Sequence, residues 1–267
     1  MKGGSKPDNR ISACITAGNE EKNIRRCLES LTWCDEIVVV DSFSRDRTVE
    51  ICREYTPRVY QHEWLGYIGQ KNLIRKMASF PWVLILDADE EVSPKLRDEI
   101  RAALTADQGR YTGYLFPRRV WYLGRWIRYG EWYPDLKLRL FLKDQGRAEG
   151  REPHDHIVVD GPVRRLRHAI HHYTYDDLKD HLDTVNRFSS ITALEKFREG
   201  EPFWWTDILL RPLLRFFKAL FFKGGFLDGG RGVLIATISA FGVMIKYAKL
   251  WELQQNQEDE KNPRKTP

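Results

Sequence analysis

The segment Trp82-Val83-Leu84-Ile85-Leu86 is uninterrupted apolar sequence that runs straight into Asp87-Ala88-Asp89-Glu90-Glu91. A continuous apolar run of this length marks a strand buried on both faces. Alternate residues of an extended chain share a face, so Asp87 and Asp89 converge on one place as the strand leaves its sheet. Adjacent carboxylates repel one another and resist burial, and a hard divalent ion such as Mg²⁺ or Mn²⁺ removes that cost. Ser93-Pro94 accounts for part of the acidity, because it reads as an N-cap with proline at the first helical position, where Glu90 and Glu91 are favourable. It does not account for two aspartates at the mouth of an apolar strand, and the cation reading is preferred.

Three strand–helix alternations precede this strand, which is the pattern of a parallel sheet covered by helices. Ile11 to Thr16 and Glu36 to Asp41 read as strands, with a short third one at Arg58 to Gln61. Helices are expected over Glu20 to Leu31, with Ile24, Cys27, Leu28 and Leu31 as its buried stripe, and after a cap at Ser44 or Asp46. Another is expected from about Gly69 to Ala78. Asp41 and Asp87 thus both stand at the C-terminal ends of parallel strands, where open α/β sheets bind ligands. A helix from Ser93 to Leu104 closes this part. Tyr111 to Arg167 is then β-rich, with aromatic and basic residues alternating.

The remainder is helical: Thr174 to Phe197, opened by a capping box of Thr174 and Asp177, then Phe203 to Lys223 and Val233 to Leu253. The polar residues 1–10 and the charged tail 254–267 are expected to be disordered. A chain of 267 residues that is 42% hydrophobic buries a substantial core, so one catalytic domain over 11–173 and a helical appendage over 174–253 are expected. Cys14, Cys27, Cys34 and Cys52 lack CxxC spacing and read as packing residues. With no apolar signal run at the N-terminus, a reducing cytoplasmic setting is expected.

The first strand ends in Thr16-Ala17-Gly18-Asn19-Glu20-Glu21, a small-residue turn that lets a ligand approach backbone N–H groups. There is no GxGxxG and no GxxxxGK[ST], which argues against the dinucleotide and P-loop uses of such a sheet. This turn, Val39-Val40-Asp41-Ser42 with Ser44, Asp46 and Thr48, then Gln70-Lys71-Asn72, then Leu86-Asp87-Ala88-Asp89-Glu90 together resemble, in order, the motifs of family 2 inverting glycosyltransferases. Gly124-Arg125-Trp126-Ile127-Arg128, Tyr133-Pro134 leading to Leu138-Arg139-Leu140-Phe141, Glu152-Pro153-His154-Asp155 and His171-His172-Tyr173 extend the resemblance to the subgroup similar to lipopolysaccharide core β-glycosyltransferases.

The resemblance implies an A-type glycosyltransferase fold, α/β and Rossmann-like with a mostly parallel central sheet. It also implies a nucleotide-diphosphate sugar donor and a divalent cation, Mg²⁺ or Mn²⁺. Carried onto this chain, it places Thr16, Ala17, Asn19, Glu20, Asp41, Lys71 and Ala88 about the nucleotide, with Asp41 accepting hydrogen bonds from the base. Asp87 faces the ribose or the metal, Asp89 binds the metal, Arg139 is a phosphate partner, and His172 approaches the diphosphate or completes the metal shell. An inverting transfer also needs a base for the acceptor hydroxyl. Asp155 is the first choice, although the subgroup pattern has Glu after that histidine, and Glu152 is the competing base.

His154, His156, His168, His171 and His172 lack the spacing of a zinc site, and the hard carboxylates suit Mg²⁺ or Mn²⁺ better. Net charge is +5, and the C-terminal third mixes Arg and Lys with Phe and Trp, while the region around Asp87 is acidic. Phe203 to Lys223 reads as a membrane-surface helix drawn to anionic lipid. Val233 to Ile245, about 13 residues, falls short of the ~20 that span a bilayer and divides evenly between core packing and surface binding. No nucleic-acid motif is present. The expectation is a metal-dependent transferase of a hexose, with UDP-glucose as donor, to a lipid-linked saccharide such as a lipopolysaccharide core, peripheral on the cytoplasmic face of the membrane. The alternatives are transfer to polyprenyl phosphate, and a non-catalytic membrane-surface scaffold.

Overall fold

A computed structural model of the chain describes residues 7–152 and 154–261, so Pro153 and both chain ends lie outside it. The chain divides into two compact units. Residues 1–120 and 134–174 form the first; residues 121–133 and 175–267 form the second.

In the first unit the strands are β1 (Ile11–Ala17), β2 (Glu36–Asp41), β3 (Val59–Gln61), β4 (Trp82–Asp87), β5 (Glu90–Val92) and β6 (Gly113–Tyr122), whose last two residues pass into the second unit. After β7 (Arg125–Trp126) of the second unit come β8 (Asp135–Leu142), β9 (Gly146–Arg151), β10 (His154–Val159), β11 (Val163–Arg165) and β12 (Ile170–His172). The main sheet runs β3-β2-β1-β4-β8-β6-β12-β5. Its first four strands are parallel, and β8 joins antiparallel to both β4 and β6. The A-type glycosyltransferase arrangement expected from the sequence is therefore present: a parallel half followed by a mixed half.

Val83, Leu84, Ile85 and Leu86 are fully buried, each side chain contributing about 1.5–3 kcal/mol on leaving water. Helices α1 (Ile24–Glu29) and α2 (Thr48–Tyr55) pack on one side of the sheet with α4 (Pro94–Asp107). Residues from α3 (Gly66–Met77), β9 and β10 close a second cluster on the other side, around Val83, Ile85 and Phe141. The four cysteines are free, and burial pushes the Cys14 and Cys52 thiols up to about 12, consistent with packing roles.

Several boundaries differ from those read off the sequence, each for a local reason. The first helix begins at Ile24 rather than Glu20, because Asn19 adopts the left-handed conformation (φ 57°) and the backbone turns through Glu20–Asn23 first. Helix α3 starts a turn before Gly69 because the Glu152 carboxylate, distant in sequence, accepts the Tyr67 and Ile68 N–H groups at 3.0 and 3.1 Å. Neither Ser44 nor Asp46 is the N-cap residue of α2; that position is Arg47, although Asp46 accepts the Thr48 N–H. Ser93 does cap α4, accepting the Leu96 N–H.

In the second unit β6 and β7 form a hairpin through Leu123 and Gly124, both at positive φ. Helix α5 (Leu178–Arg198) is capped by Asp177 alone, whose carboxylate accepts the Asp180 N–H at 2.8 Å; Thr174 lies outside the helix. Helix α6 (Trp205–Phe217) continues as a wider π-helical turn, Lys218–Phe222. A 3-10 turn, Gly225–Asp228, then leads to α7 (Gly230–Lys261), which runs past the expected end at Leu253 into the sequence expected to be disordered.

Gly232 must be glycine, since a Cβ there would fall on the Gly225 carbonyl oxygen. Tyr247, Ala248, Leu250 and Trp251 extend the apolar stretch beyond Ile245, so the 13-residue limit drawn from the sequence does not hold. Within α7 the 28-residue stretch Gly230–Gln257 is long and apolar enough to cross a membrane, a property shared by core helices of water-soluble proteins.

Candidate active site

The turns after β1 and β2 are sewn together. Asn19 N–H donates to Ser44 Oγ at 2.7 Å, Glu20 N–H to Thr48 Oγ1 at 2.8 Å and Glu21 N–H to Asp46 at 3.1 Å; in return Asn19 Oδ1 accepts from Arg45 N–H at 2.9 Å. The motif residues of the two strand ends therefore fix each other as one rim. Asp41, fully buried, accepts from the Ser44 N–H at 2.9 Å, from the Ser44 hydroxyl, and from Gln61 at 3.2 Å. Thr16 and Ala17 lie opposite Val40 and Asp41 in the β1–β2 register, and Ala88 is buried in the turn after β4. Gln70 donates to Ser42 at 2.8 Å, and Asn72 exchanges two hydrogen bonds with the Ala148 backbone, tying α3 to β9.

At the end of β4 the charges form a chain. Lys71 Nζ, almost fully buried, lies 2.8 Å from Asp155 and 3.1 Å from Asp87 Oδ1. Asp87 Oδ2 takes Arg139 at 2.6 Å, and Arg139 reaches Glu90 at 2.9 Å. Glu90 also accepts from Arg118 at 3.3 Å, and Arg118 pairs with Asp135 at 2.6 Å. Acid and base alternate without a break. Burial alone would raise the Asp87 carboxyl, but Arg139 and Lys71 outweigh it and hold it far below the usual carboxylate range. Arg139 moves the other way: burial works against its charge, yet Asp87 and Glu90 bind its proton more tightly than usual.

Asp87, expected at the ribose or at the metal beside Asp89, has a cation at each oxygen, Lys71 at Oδ1 and Arg139 at Oδ2. Arg139, expected at a phosphate, donates from Nη2 to Asp87 and Glu90, while its buried Nε has no hydrogen-bond partner among the described residues. Glu90, read as a helix-start acid, is on β5 with a fully buried side chain and also accepts the Asp87 N–H at 3.1 Å. Sequence reasoning missed Glu90, Arg118 and Asp135. A signal was present, because Asp135, Lys137 and Arg139 alternate with Leu136, Leu138 and Leu140 and so share one strand face.

Asp89 stands apart from this chain. Its Oδ2 lies 3.0 Å from His172 Nε2. The pairing follows from topology: β12 runs antiparallel to β5 with His172 opposite Glu90, and Tyr173 N–H donates to the Asp89 carbonyl at 3.0 Å. Tyr173 also donates its hydroxyl to Glu91 at 3.0 Å and carries Arg26 over its ring at 3.4 Å. His172 Nδ1 is buried without a hydrogen-bond partner among the described residues.

No cluster of three or more candidate metal ligands occurs among the described residues. Two protein ligands nevertheless suit Mg²⁺ or Mn²⁺ in a diphosphate site, because such ions take one or two side chains and fill their shell with substrate oxygens and water. Asp89 and His172 supply a carboxylate and an imidazole on that pattern.

The two base candidates differ in what they already do. Glu152 has one oxygen on each of two helix N–H groups. Asp155 is held through Oδ2 by Lys71.

A glycosyl transferase family 2 model matches residues 12–165. An uncharacterized glycosyltransferase of Rickettsia typhi is 31% identical over 257 residues, covering 91% of this chain and 87% of that protein. The lipopolysaccharide core biosynthesis glycosyltransferase LpsC of Rhizobium meliloti is 29% identical, with 91% and 92% covered. Among solved structures, residues 1–349 of S. aureus TarS in complex with UDP-GlcNAc share the fold at 17% identity and a TM-score of 0.50, covering 89% of this chain and 81% of that one. The protein is a nucleotide-sugar glycosyltransferase, and the chain belongs to glycosyl transferase family 2.

Proposed function

We propose that the protein is a metal-dependent inverting hexosyltransferase that moves glucose from UDP-glucose to a lipid-linked saccharide of the lipopolysaccharide core type at the membrane surface. The observation that carries the donor side is the Asp89–His172 pair, set at the carboxyl end of β4 on the same sheet as the sewn rim of β1 and β2. Asp89 and His172 would hold Mg²⁺ or Mn²⁺, which neutralises charge developing on the departing nucleoside diphosphate. The rim of Thr16, Ala17, Asn19, Glu20 and Asp41 would position the nucleotide, and the LpsC relationship supports a saccharide acceptor.

Asp155 is the general base of this reading. Lys71 orients it through Oδ2, and the acceptor hydroxyl gives it a proton as the oxygen attacks the anomeric carbon and the bond to the diphosphate breaks. Glu152 is better described as the cap of α3. Membrane-surface binding is supported by α6 and the turn after it, where Leu209, Leu213, Leu214, Phe221 and Phe222 are exposed beside Arg215, Lys218 and Lys223.

The test is transfer from a panel of nucleotide sugars with and without Mn²⁺. UDP-glucose is expected to be turned over in Mn²⁺ and Asp89→Ala to be inactive. Full activity of Asp89→Ala, or of the wild type in a chelator, contradicts the metal role.

A further inference from the structure

Gly124-Arg125-Trp126-Ile127-Arg128 belongs to the second unit. It lines a cavity of about 610 Å³ in the second unit together with Trp121, Tyr129, Leu227, Asp228 and Arg231. That size lies within the roughly 300–1,000 Å³ usual for small-ligand sites. We propose that this cavity binds the phosphorylated sugar headgroup of a glycolipid, with the acyl chains laid along the aromatic row beside it. The proposal rests on the glycosyltransferase reading for its identification of the ligand as the acceptor.

The cavity's charges fall into two classes. Arg231 is committed, donating twice to the Leu123 carbonyl at 2.8 and 2.6 Å and so holding the hairpin turn, where Leu123 has a positive φ of 45°. Asp228 is committed too, accepting the Arg128 and Tyr129 backbone N–H groups at 3.0 and 2.8 Å. The guanidinium groups of Arg125 and Arg128 are exposed and have no partner among the described residues. The cavity's one carboxylate is therefore occupied while two cations are available, and planar guanidinium forks match phosphate oxygens.

Trp121 and Trp126 meet edge to face at 5.0 Å, giving the same cavity flat apolar walls suited to a sugar ring. Leu227 lines the cavity and is exposed. From its neighbour Phe226 an aromatic row runs outward, Phe226 to Phe221 at 6.4 Å and Phe221 to Phe217 at 5.9 Å, each ring about half exposed. Cations, indoles and an exposed apolar row in sequence fit an amphipathic ligand, whereas a free sugar phosphate would leave the row unused.

The experiment is cosedimentation of the full chain with phosphatidylcholine vesicles carrying either an acylated, phosphorylated glucosamine disaccharide or phosphatidylglycerol at equal charge. Wild type is expected to bind the glycolipid vesicles at least about tenfold more tightly, an increment of the size expected for charge-assisted hydrogen bonds. Arg125→Gln/Arg128→Gln is expected to fall to the phosphatidylglycerol level while still binding UDP. Equal wild-type binding to the two vesicles, meaning general attraction to anionic lipid, overturns the proposal, as does unchanged glycolipid binding by the variant.

A second measurement needs no variant: soluble glucosamine 6-phosphate should displace wild type from the glycolipid vesicles and not from phosphatidylglycerol, and failure to do so also overturns the proposal. Loss of the transferase reading itself would show separately, as absence of UDP binding by wild type.

Discussion

Arg139 Nη2 lies 2.6 Å from Asp87 and 2.9 Å from Glu90, so one nitrogen joins the carboxylate at the end of β4 to the fully buried one at the start of β5. This contact ties together the two strand ends that flank the turn bearing Asp89. Removing one partner of a buried ion pair leaves an uncompensated charge and costs about 3–5 kcal/mol. Arg139→Met is expected to lose stability of that order in urea unfolding. Arg139→Lys should lose less, since it keeps the charge without the planar head.

The depressed Asp87 carboxyl implies a specific acid sensitivity. A carboxyl whose folded value is lowered contributes stability that is fully present above its unfolded value, about 3.9, and is lost as pH falls through the folded value. Stability measured by denaturant unfolding should therefore drop steeply below about pH 4. Asp87→Asn should start less stable and show a shallower slope in that range.

His181 predicts a second step at milder pH. It is buried in an aromatic cluster with Tyr122, Trp132 and Tyr175, its Nδ1 is 2.8 Å from the Tyr122 hydroxyl, and burial lowers its pKa from 6.5 to about 4. The folded state keeps it neutral while the unfolded chain takes up a proton. Its contribution is complete above 6.5 and declines as pH falls towards 4. His181→Phe should remove that decline, while losing some stability at neutral pH because the Tyr122 hydroxyl is left unpaired.

The base assignment separates by the kind of damage. Asp155→Asn should lower kcat by roughly 10²–10⁴ with little change in stability-corrected UDP binding. Glu152→Gln should cost on the order of 1 kcal/mol of stability, as loss of a helix cap does, and leave most of kcat. The reverse pattern in steady-state kinetics and thermal melts would move the base to Glu152.

Much of the parallel half was legible because its signals are local. The apolar run from Trp82 to Leu86, the Glu36 to Asp41 strand and the Ser93-Pro94 helix start each encode their own geometry. The site's charges were less legible because they are settled by partners far away in the chain. Asp87 is balanced by Arg139, 52 residues on, and α3 begins at Gly66 because Glu152, 85 residues after Tyr67, caps it. Asp89 was read as a cation ligand from the strand alone. Its neighbour His172 stands 83 residues later and reaches it through the β12–β5 pairing, which no local pattern announces.

The central claim is that Asp89 binds the cation that holds the donor diphosphate. Isothermal titration of UDP into the protein, with Mn²⁺ and with a chelator, tests it most directly. Wild type is expected to bind UDP at least about tenfold more tightly with Mn²⁺, a coupling of about 1.4 kcal/mol or more, and Asp89→Asn is expected to lose that increment while remaining folded. Retention of the full Mn²⁺ increment by Asp89→Asn would contradict the account.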